Sequence, residues 1–293
     1  MEPPEFTNLQ SILDGKEDAY LTVWGQASAA WGHPYFVRLM WEFTGSWNDN
    51  TPQNPGYGTY PWGNGNTPAI FVAAWQYIVD KVRAAGGTDI SWIWCPAGVG
   101  DSVSTLRSLY PGDQYVDWVG TDVYIGPGQT FAQGAQPELS NIQSVAPNKP
   151  VMLSEIGYTG SDSASYWSNL LTNILPNDYP FIKAVVIWQQ PDAGFTVTDS
   201  TTLAAFQSGI GSSYYSSNVY SSLNTSPITP IGENQNPLPT STSQPTGSPT
   251  LPSNVSGSSS LGLEITVIMA VAIASIATVL KLISSKKKRT KEE

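Results

Sequence analysis

Residues 34–42 read Pro34-Tyr-Phe-Val-Arg-Leu-Met-Trp-Glu42, and residues 150–155 read Pro150-Val-Met-Leu-Ser-Glu155. Each is a short, mostly apolar run opened by proline and closed by glutamate. Runs of this length between turn signals read as buried strands. Two strands that end in carboxylates bring acid–base chemistry to one end of a sheet. Paired carboxylates across a cleft are what glycosidic bond cleavage requires.

Outward from these runs, five strands are predicted: Tyr35–Trp41, Ile90–Trp94, Tyr115–Tyr124, Val151–Glu155 and Ile182–Trp188. A helix separates the first two. Thr67 can cap it and Pro68 suits its first position. Phe71, Trp75, Ile78 and Val82 recur at helical spacing, and Gly86-Gly87 ends it. Further helical segments are expected over Phe6–Ala30, Ser163–Leu175 and Thr201–Ile210. Alternating strand and helix predicts a parallel sheet with helical crossovers. An open, doubly wound sheet is one such arrangement, but no Gly-rich phosphate loop follows any strand. Trp62-Gly-Asn-Gly-Asn lies instead in a long aromatic loop. Chemistry-bearing residues at strand ends point to a (β/α)8 barrel.

The chain divides by composition. Residues 1–222 mix apolar, aromatic and turn residues as a globular domain does. Residues 223–260 are a Ser/Thr/Pro-rich linker that cannot bury a core. Residues 261–283 are nearly all apolar and long enough to cross a bilayer. Residues 284–293 form a basic tail around Lys286-Lys-Lys-Arg289. This order reads as a transmembrane helix with a cytoplasmic tail and an extracellular globular domain at the cell membrane. Asn224-Thr-Ser and Asn254-Val-Ser are glycosylation sequons in or beside the linker.

Charge narrows the partners. Residues 1–260 hold seven Lys and Arg against 20 Asp and Glu, a net charge of −13, which excludes nucleic acid. Cys95 is the only cysteine, so no internal disulfide forms. With one histidine and one cysteine the sequence does not favour a zinc site, and it implies no cofactor. It leaves a carboxylate-bound calcium open. It shows no need for a protein partner.

Several segments together resemble glycoside hydrolase family 26. They are Arg38-Leu-Met-Trp-Glu42-Phe-Thr-Gly-Ser-Trp47, Ala73-Ala-Trp75, Trp92-Ile-Trp94, the run Tyr110 to Tyr124, Lys149-Pro-Val-Met-Leu-Ser-Glu-Ile-Gly157 and Ala184-Val-Val-Ile-Trp188. The resemblance covers residues 1 to about 216 and implies a β-mannanase-like retaining enzyme on a barrel. It implies Glu42 as the general acid/base and Glu155 as the nucleophile. Arg38, Tyr124 and Asp122 support them. Trp188 resembles the platform beneath the sugar, with Trp41, Trp47 and Trp62 as further substrate-binding residues. For Trp47 and Trp62, loop packing is the competing reading. The family pattern has His before the acid/base and Met-Asn after it, where this chain has Trp41, Phe43 and Thr44.

The resemblance also implies that three βα units precede the Glu42 strand, whereas 34 residues do so here. The expectation is therefore the last five βα units of a barrel, active where the other strands are supplied. The N-terminal Met-Glu-Pro-Pro-Glu-Phe-Thr has no basic or apolar signal region. Two functions from different classes follow. One is a membrane-anchored endo-β-glycanase acting on β-linked polysaccharide or oligosaccharide, with β-1,4-mannan first and β-glucan or xylan second. The other is a non-catalytic carbohydrate binder or decayed hydrolase.

Overall fold

The computed structural model describes residues 9–46, 62, 66–98 and 101–215. The chain forms two compact units, Met1–Asn236 and Pro237–Glu293, and every described residue belongs to the first. The linker, the apolar segment 261–283, the basic tail and Trp47 lie outside the described residues. Among the described residues no helix is long and apolar enough to cross a membrane.

Five strands form one parallel sheet in the order β1-β2-β3-β4-β5. They are β1 (Tyr35–Arg38), β2 (Ile90–Trp94), β3 (Trp118–Ile125), β4 (Val151–Tyr158) and β5 (Ile182–Ile187). The helices are α1 (Leu9–Leu13), α2 (Asp18–Trp31), α3 (Pro68–Ala84), α4 (Val103–Ser108), α5 (Phe131–Val145), α6 (Ser163–Asn169) and α7 (Ser200–Ile210). Sequential neighbours joined by helices give a half-barrel, with open edges at β1 and β5 among the described residues.

The sheet has two faces with different jobs. Outward side chains pack under the helices in the main core, including Trp92 and Trp94 from β2, Val119 and Val123 from β3, and Leu153 and Ile156 from β4. The inner face carries a smaller cluster of Ile93, Cys95, Trp118 and Met152, with Phe36 and Ala184 against it. Helix α3 shows why the outer layer holds. The Thr67 side chain accepts from Ile70 N at 3.3 Å, and Phe71, Trp75, Ile78 and Val82 are buried on one face. Each such side chain contributes about 1.5–3 kcal/mol when fully buried. Two of the buried indoles bond their N–H groups to the backbone: Trp75 donates to Tyr115 O at 3.1 Å and Trp94 to Leu109 O at 3.0 Å.

Several predicted bounds are corrected. β1 stops at Arg38 rather than Trp41, because the chain turns there with Met40 and Glu42 at φ 47° and 51°. β3 begins at Trp118, since residues 112–117 form a turn closed by Tyr115 N to Gly112 O at 3.0 Å. β4 runs on to Tyr158. The helix expected over Phe6–Ala30 breaks between α1 and α2 at Asp14–Glu17. Residues 163–175 begin as α6 and continue as a π-helix over Leu170–Asp178, a wider winding that takes in Pro176.

Candidate active site

The first element of the site is Arg38, the last residue of β1, whose side chain is on the inner face with Phe36. Its Nη1 donates to Glu155 Oε1 at 2.5 Å and its Nη2 donates to Asp122 Oδ2. One guanidinium from β1 thus joins carboxylates on β3 and β4, 84 and 117 residues away in sequence. Tyr124, two residues after Asp122 and therefore on the same face, donates its hydroxyl to Glu155 Oε2. Glu155 is held from both sides through both oxygens.

Glu155 reaches this face through a β-bulge. On β4, Val151 and Leu153 point outward into the main core, so simple alternation would send Glu155 outward as well. The β3–β4 register instead passes from Thr121↔Leu153 to Asp122↔Glu155, leaving Ser154 as an extra residue. The bulge turns Glu155 inward, and Ile156 returns to the outer core. Room for Ser154 comes from Gly120 opposite: a Cβ there would lie 2.1 Å from Ser154 Oγ.

Glu42 arrives by another local device. The expected alternation from Arg38 to Glu42 does not exist, because no strand links them. Two left-handed residues, Met40 and Glu42, make a sharp turn, and Glu42 N–H donates to Cys95 O at 3.0 Å. Each such conformation costs about 1–2 kcal/mol in a non-glycine residue. Burial of Met40 and Phe43, and the bond from Ala97 N–H to Thr44 Oγ1 at 2.9 Å, hold the turn in place. Thr44, a departure from the family pattern, is therefore fully buried and structural.

The turn brings Glu42, Asp122 and Glu155 together, with one carboxylate oxygen of each within 4.8 Å of the other two. Three converging carboxylates are also a set that could ligate a metal. Here the Arg38 guanidinium is the cation bonded to two of them. Burial pushes the Asp122 carboxyl well above the usual carboxylate range. The Arg38 charge opposes that rise, while the Glu155 charge and a hydrogen bond with Glu42 add to it. Asp122 thus lies between Glu42 and a carboxylate held by Arg38 and Tyr124. Burial and the bond to Glu155 push the Tyr124 phenol up. Burial likewise raises the Cys95 thiol, whose Sγ lies 3.7 Å from Asp122 Oδ1, so the cysteine is a neutral filler at the floor of the site.

The aromatic residues separate. Trp188 follows β5 on the same inner-face alternation as Ala184 and Val186, and its ring is edge-on to Tyr124 at 6.5 Å. It is half-buried and beside the carboxylates. Trp41 is half-buried and meets Trp62 edge-on at 4.6 Å, while Trp62 is 3% exposed. Trp62 is packed in this arrangement, as the competing reading of loop packing expects. His33 is exposed against Trp31, at the end of β1 away from Glu42. One site residue escaped the sequence reading: Phe195, in the loop after β5, packs on Tyr124 at 5.3 Å.

Comparison with known proteins places the chain in a family. The chain is 31% identical over 228 residues to endoglucanase H of Acetivibrio thermocellus, covering 72% of this chain and 24% of that protein. It is 25% identical over 122 residues to a β-1,3-xylanase of an Alcaligenes species, covering 40% and 22% respectively. The chain thus spans about a quarter of the length of these relatives. In fold it resembles a modular endo-β-1,4-mannanase from Cellulomonas fimi, with a TM-score of 0.55, 21% identity and coverage of 76% of this chain and 51% of that one. It also resembles a β-mannanase from Bacteroides ovatus, with a TM-score of 0.52, 20% identity and coverage of 72% and 63%. The family profile of glycosyl hydrolase family 26 matches residues 22–185, more than half of the chain, and the protein belongs to that family.

Proposed function

We propose that the chain carries the catalytic face of a retaining endo-β-glycanase. The carrying observation is the convergence of Glu42, Asp122 and Glu155 on the inner face, with Arg38 and Tyr124 bonded to Glu155. Retaining enzymes place their two carboxyl groups about 5–5.5 Å apart, whereas inverting ones need about 6.5–9.5 Å to admit water. One oxygen of Glu42 lies within 4.8 Å of one of Glu155, a close approach that fits the first class better than the second.

In this mechanism Glu155 attacks the anomeric carbon while Glu42 protonates the departing glycosidic oxygen. A covalent glycosyl ester on Glu155 results. Glu42, now ionised, takes a proton from water, and the hydroxide oxygen displaces Glu155. Arg38 and Tyr124 keep the nucleophile oriented. Asp122 holds Arg38 beside the nucleophile. Trp188 offers an aromatic face to the sugar at the cleavage point. Turnover is assigned to the closed barrel, because the described sheet has five strands where a barrel of this kind has eight.

β-1,4-Mannan is the first substrate reading, supported by the fold likeness to the two mannanases. The relatives named endoglucanase and β-1,3-xylanase support β-glucan or xylan as the second. The uncharged run 265–280 followed by Lys286–Arg289 supports a membrane anchor with the hydrolase outside the cell. The domain division into 1–222, linker, anchor and tail belongs to the same reading.

The test is full-length protein incubated with mannan, mixed-linkage β-glucan and β-1,3-xylan. Proton NMR would follow the anomer released first. The expected product keeps the β configuration, and Glu155→Gln removes turnover while leaving glycan affinity. Affinity without turnover in the native protein would establish the non-catalytic binder instead.

A further inference from the structure

The loop after β5 carries a feature that the catalytic reading leaves unused. Gln190 and Phe195 form a short antiparallel bridge, with Gln190 N–H to Phe195 O at 2.8 Å and Phe195 N–H to Gln190 O at 3.1 Å. Pro191–Ala193 make one 3-10 turn, and Gly194, at φ 83°, closes it with its N–H on Pro191 O at 2.9 Å. The hairpin is tied to the site at two points. The Gln190 side chain accepts from the Trp188 indole at 3.3 Å, and the Phe195 ring lies on Tyr124 at 5.3 Å with an interplanar angle of 56°.

Room for that ring is provided on β4. Gly157 follows Glu155 by two residues, and a Cβ added there would lie 2.5 Å from Phe195 Cδ1. Tyr124 thus has Phe195 and Trp188 against its ring and Glu155 Oε2 on its hydroxyl. A tyrosine side chain has two torsions to fix, and one hydrogen bond to a carboxylate does not fix both. The Phe195 ring supplies the missing wall.

We infer that the Gln190–Phe195 hairpin is a positioning device for the nucleophile, in which Phe195 seats Tyr124 against Glu155 and Gln190 steadies Trp188. This rests on the reading of Glu155 as nucleophile. Phe195 itself touches no reacting atom and acts through Tyr124. Loss of the contact, with the orientation it imposes, is expected to cost about 10–100-fold in kcat with KM within about threefold.

The experiment labels the full-length protein with tyrosine carrying carbon-13 at Cζ. Tyr124 is identified as the signal missing from Tyr124→Phe. In Phe195→Ala that signal is expected to move toward the free-tyrosine position and to titrate at lower pH than in the native protein. Gly157→Ala, which displaces the same ring from below, should move the same signal, and Phe195→Leu should restore most of it. In kinetics, Phe195→Ala should cost no more than about twofold once Tyr124 is already phenylalanine, because the two act as one unit. A Tyr124 signal unmoved by either variant overturns the inference. So does a rise in KM with kcat unchanged, which would make Phe195 a sugar contact. If no glycan is turned over, the catalytic reading fails and the tyrosine signal still decides the hairpin's role.

Discussion

The molecule contains the same chemical triad twice. On the helices, Asp18 of α2 accepts from Lys81 Nζ at 2.5 Å and from the Tyr77 hydroxyl at 2.6 Å, both on α3. On the sheet, Glu155 accepts from Arg38 and from the Tyr124 hydroxyl. Each is a carboxylate between a cation and a phenol. Their surroundings differ. The side chains of Lys81 and Asp18 are 38% and 39% exposed, whereas Arg38 and Glu155 are 19% and 16% exposed and Asp122 is fully covered. Water screens the first triad and is largely excluded from the second. Identical bonds should therefore be nearly silent at one place and decisive at the other.

The largest break in this comparison comes from Arg38→Met, which keeps side-chain length and removes the charge. Two carboxylates are left on the inner face without their cation. Removing one partner from such a buried set costs roughly 3–5 kcal/mol. Denaturant unfolding should show a loss of that size, and turnover should fall by about a thousandfold or more, the scale of losing a preorganised electrostatic partner. A loss no larger than that of a surface substitution would mean that solvent reaches the inner face and that the two triads are alike. Gly120→Ala probes the backbone beneath the same triad. The new methyl would meet Ser154 Oγ at 2.1 Å and Ile93 Cγ2 at 3.2 Å, on strands packed from both sides. Overpacking of this kind costs about 1–3 kcal/mol. Its particular effect should be on Glu155, whose inward aim depends on the Ser154 bulge. Stability loss with native turnover would show that the bulge does not need that space.

These devices explain where sequence reading stops. The strands were legible because each is an apolar run between turn residues, and α3 was legible from its cap and from Phe71, Trp75, Ile78 and Val82. Glu42, Glu155 and Tyr124 were legible as strand-end residues and Arg38 from the family resemblance, and the structure brings them together. The routes by which they meet were not legible. A one-residue bulge changes facing without changing composition, and alternation alone sends Glu155 to the helix layer. The left-handed turn at Met40 and Glu42 carries no glycine to announce it. Phe195 sits among Gly194, Thr196 and Asp199, where an apolar residue gives no period, and the only hint of its seat is Gly157 two positions after the nucleophile. Helix α5 could have been read, since Thr130 and Gln133 form its capping box and both reciprocal bonds are present.

Asp122→Asn sharpens the comparison through pH. In the unfolded chain an aspartate releases its proton near pH ~3.9. The folded Asp122 keeps its proton to well above that value, first because of burial and despite Arg38. From about pH 4 upward the folded state thus binds more protons than the unfolded one, so this residue's contribution to stability falls as pH rises until the folded group ionises. The full contribution is present below the unfolded value. Asparagine cannot ionise and removes the slope. Melting curves between pH 4 and 8 should show the native protein losing stability relative to Asp122→Asn as pH increases. Parallel curves would mean that Asp122 is ionised in the fold.

The smallest effect is expected where the bonds look best. Lys81 bonds Asp18 at 2.5 Å and lies 5.1 Å over the Tyr77 ring, a geometry as close as that around Arg38. The Asp18 carboxyl is lowered by its bonds to Lys81 and Tyr77, so the partners do interact. Yet every member can exchange its bond for water when the pair is broken, and two long side chains regain their freedom. Lys81→Ala should therefore shift the melting temperature by no more than about one degree, and high salt should erase even that. Turnover should be unchanged, since α2 and α3 lie on the outer side of the sheet. A shift as large as that of Arg38→Met would show that bond geometry rather than exclusion of water sets the strength of these triads. The inner-face cluster would then lose its claim to be electrostatically special.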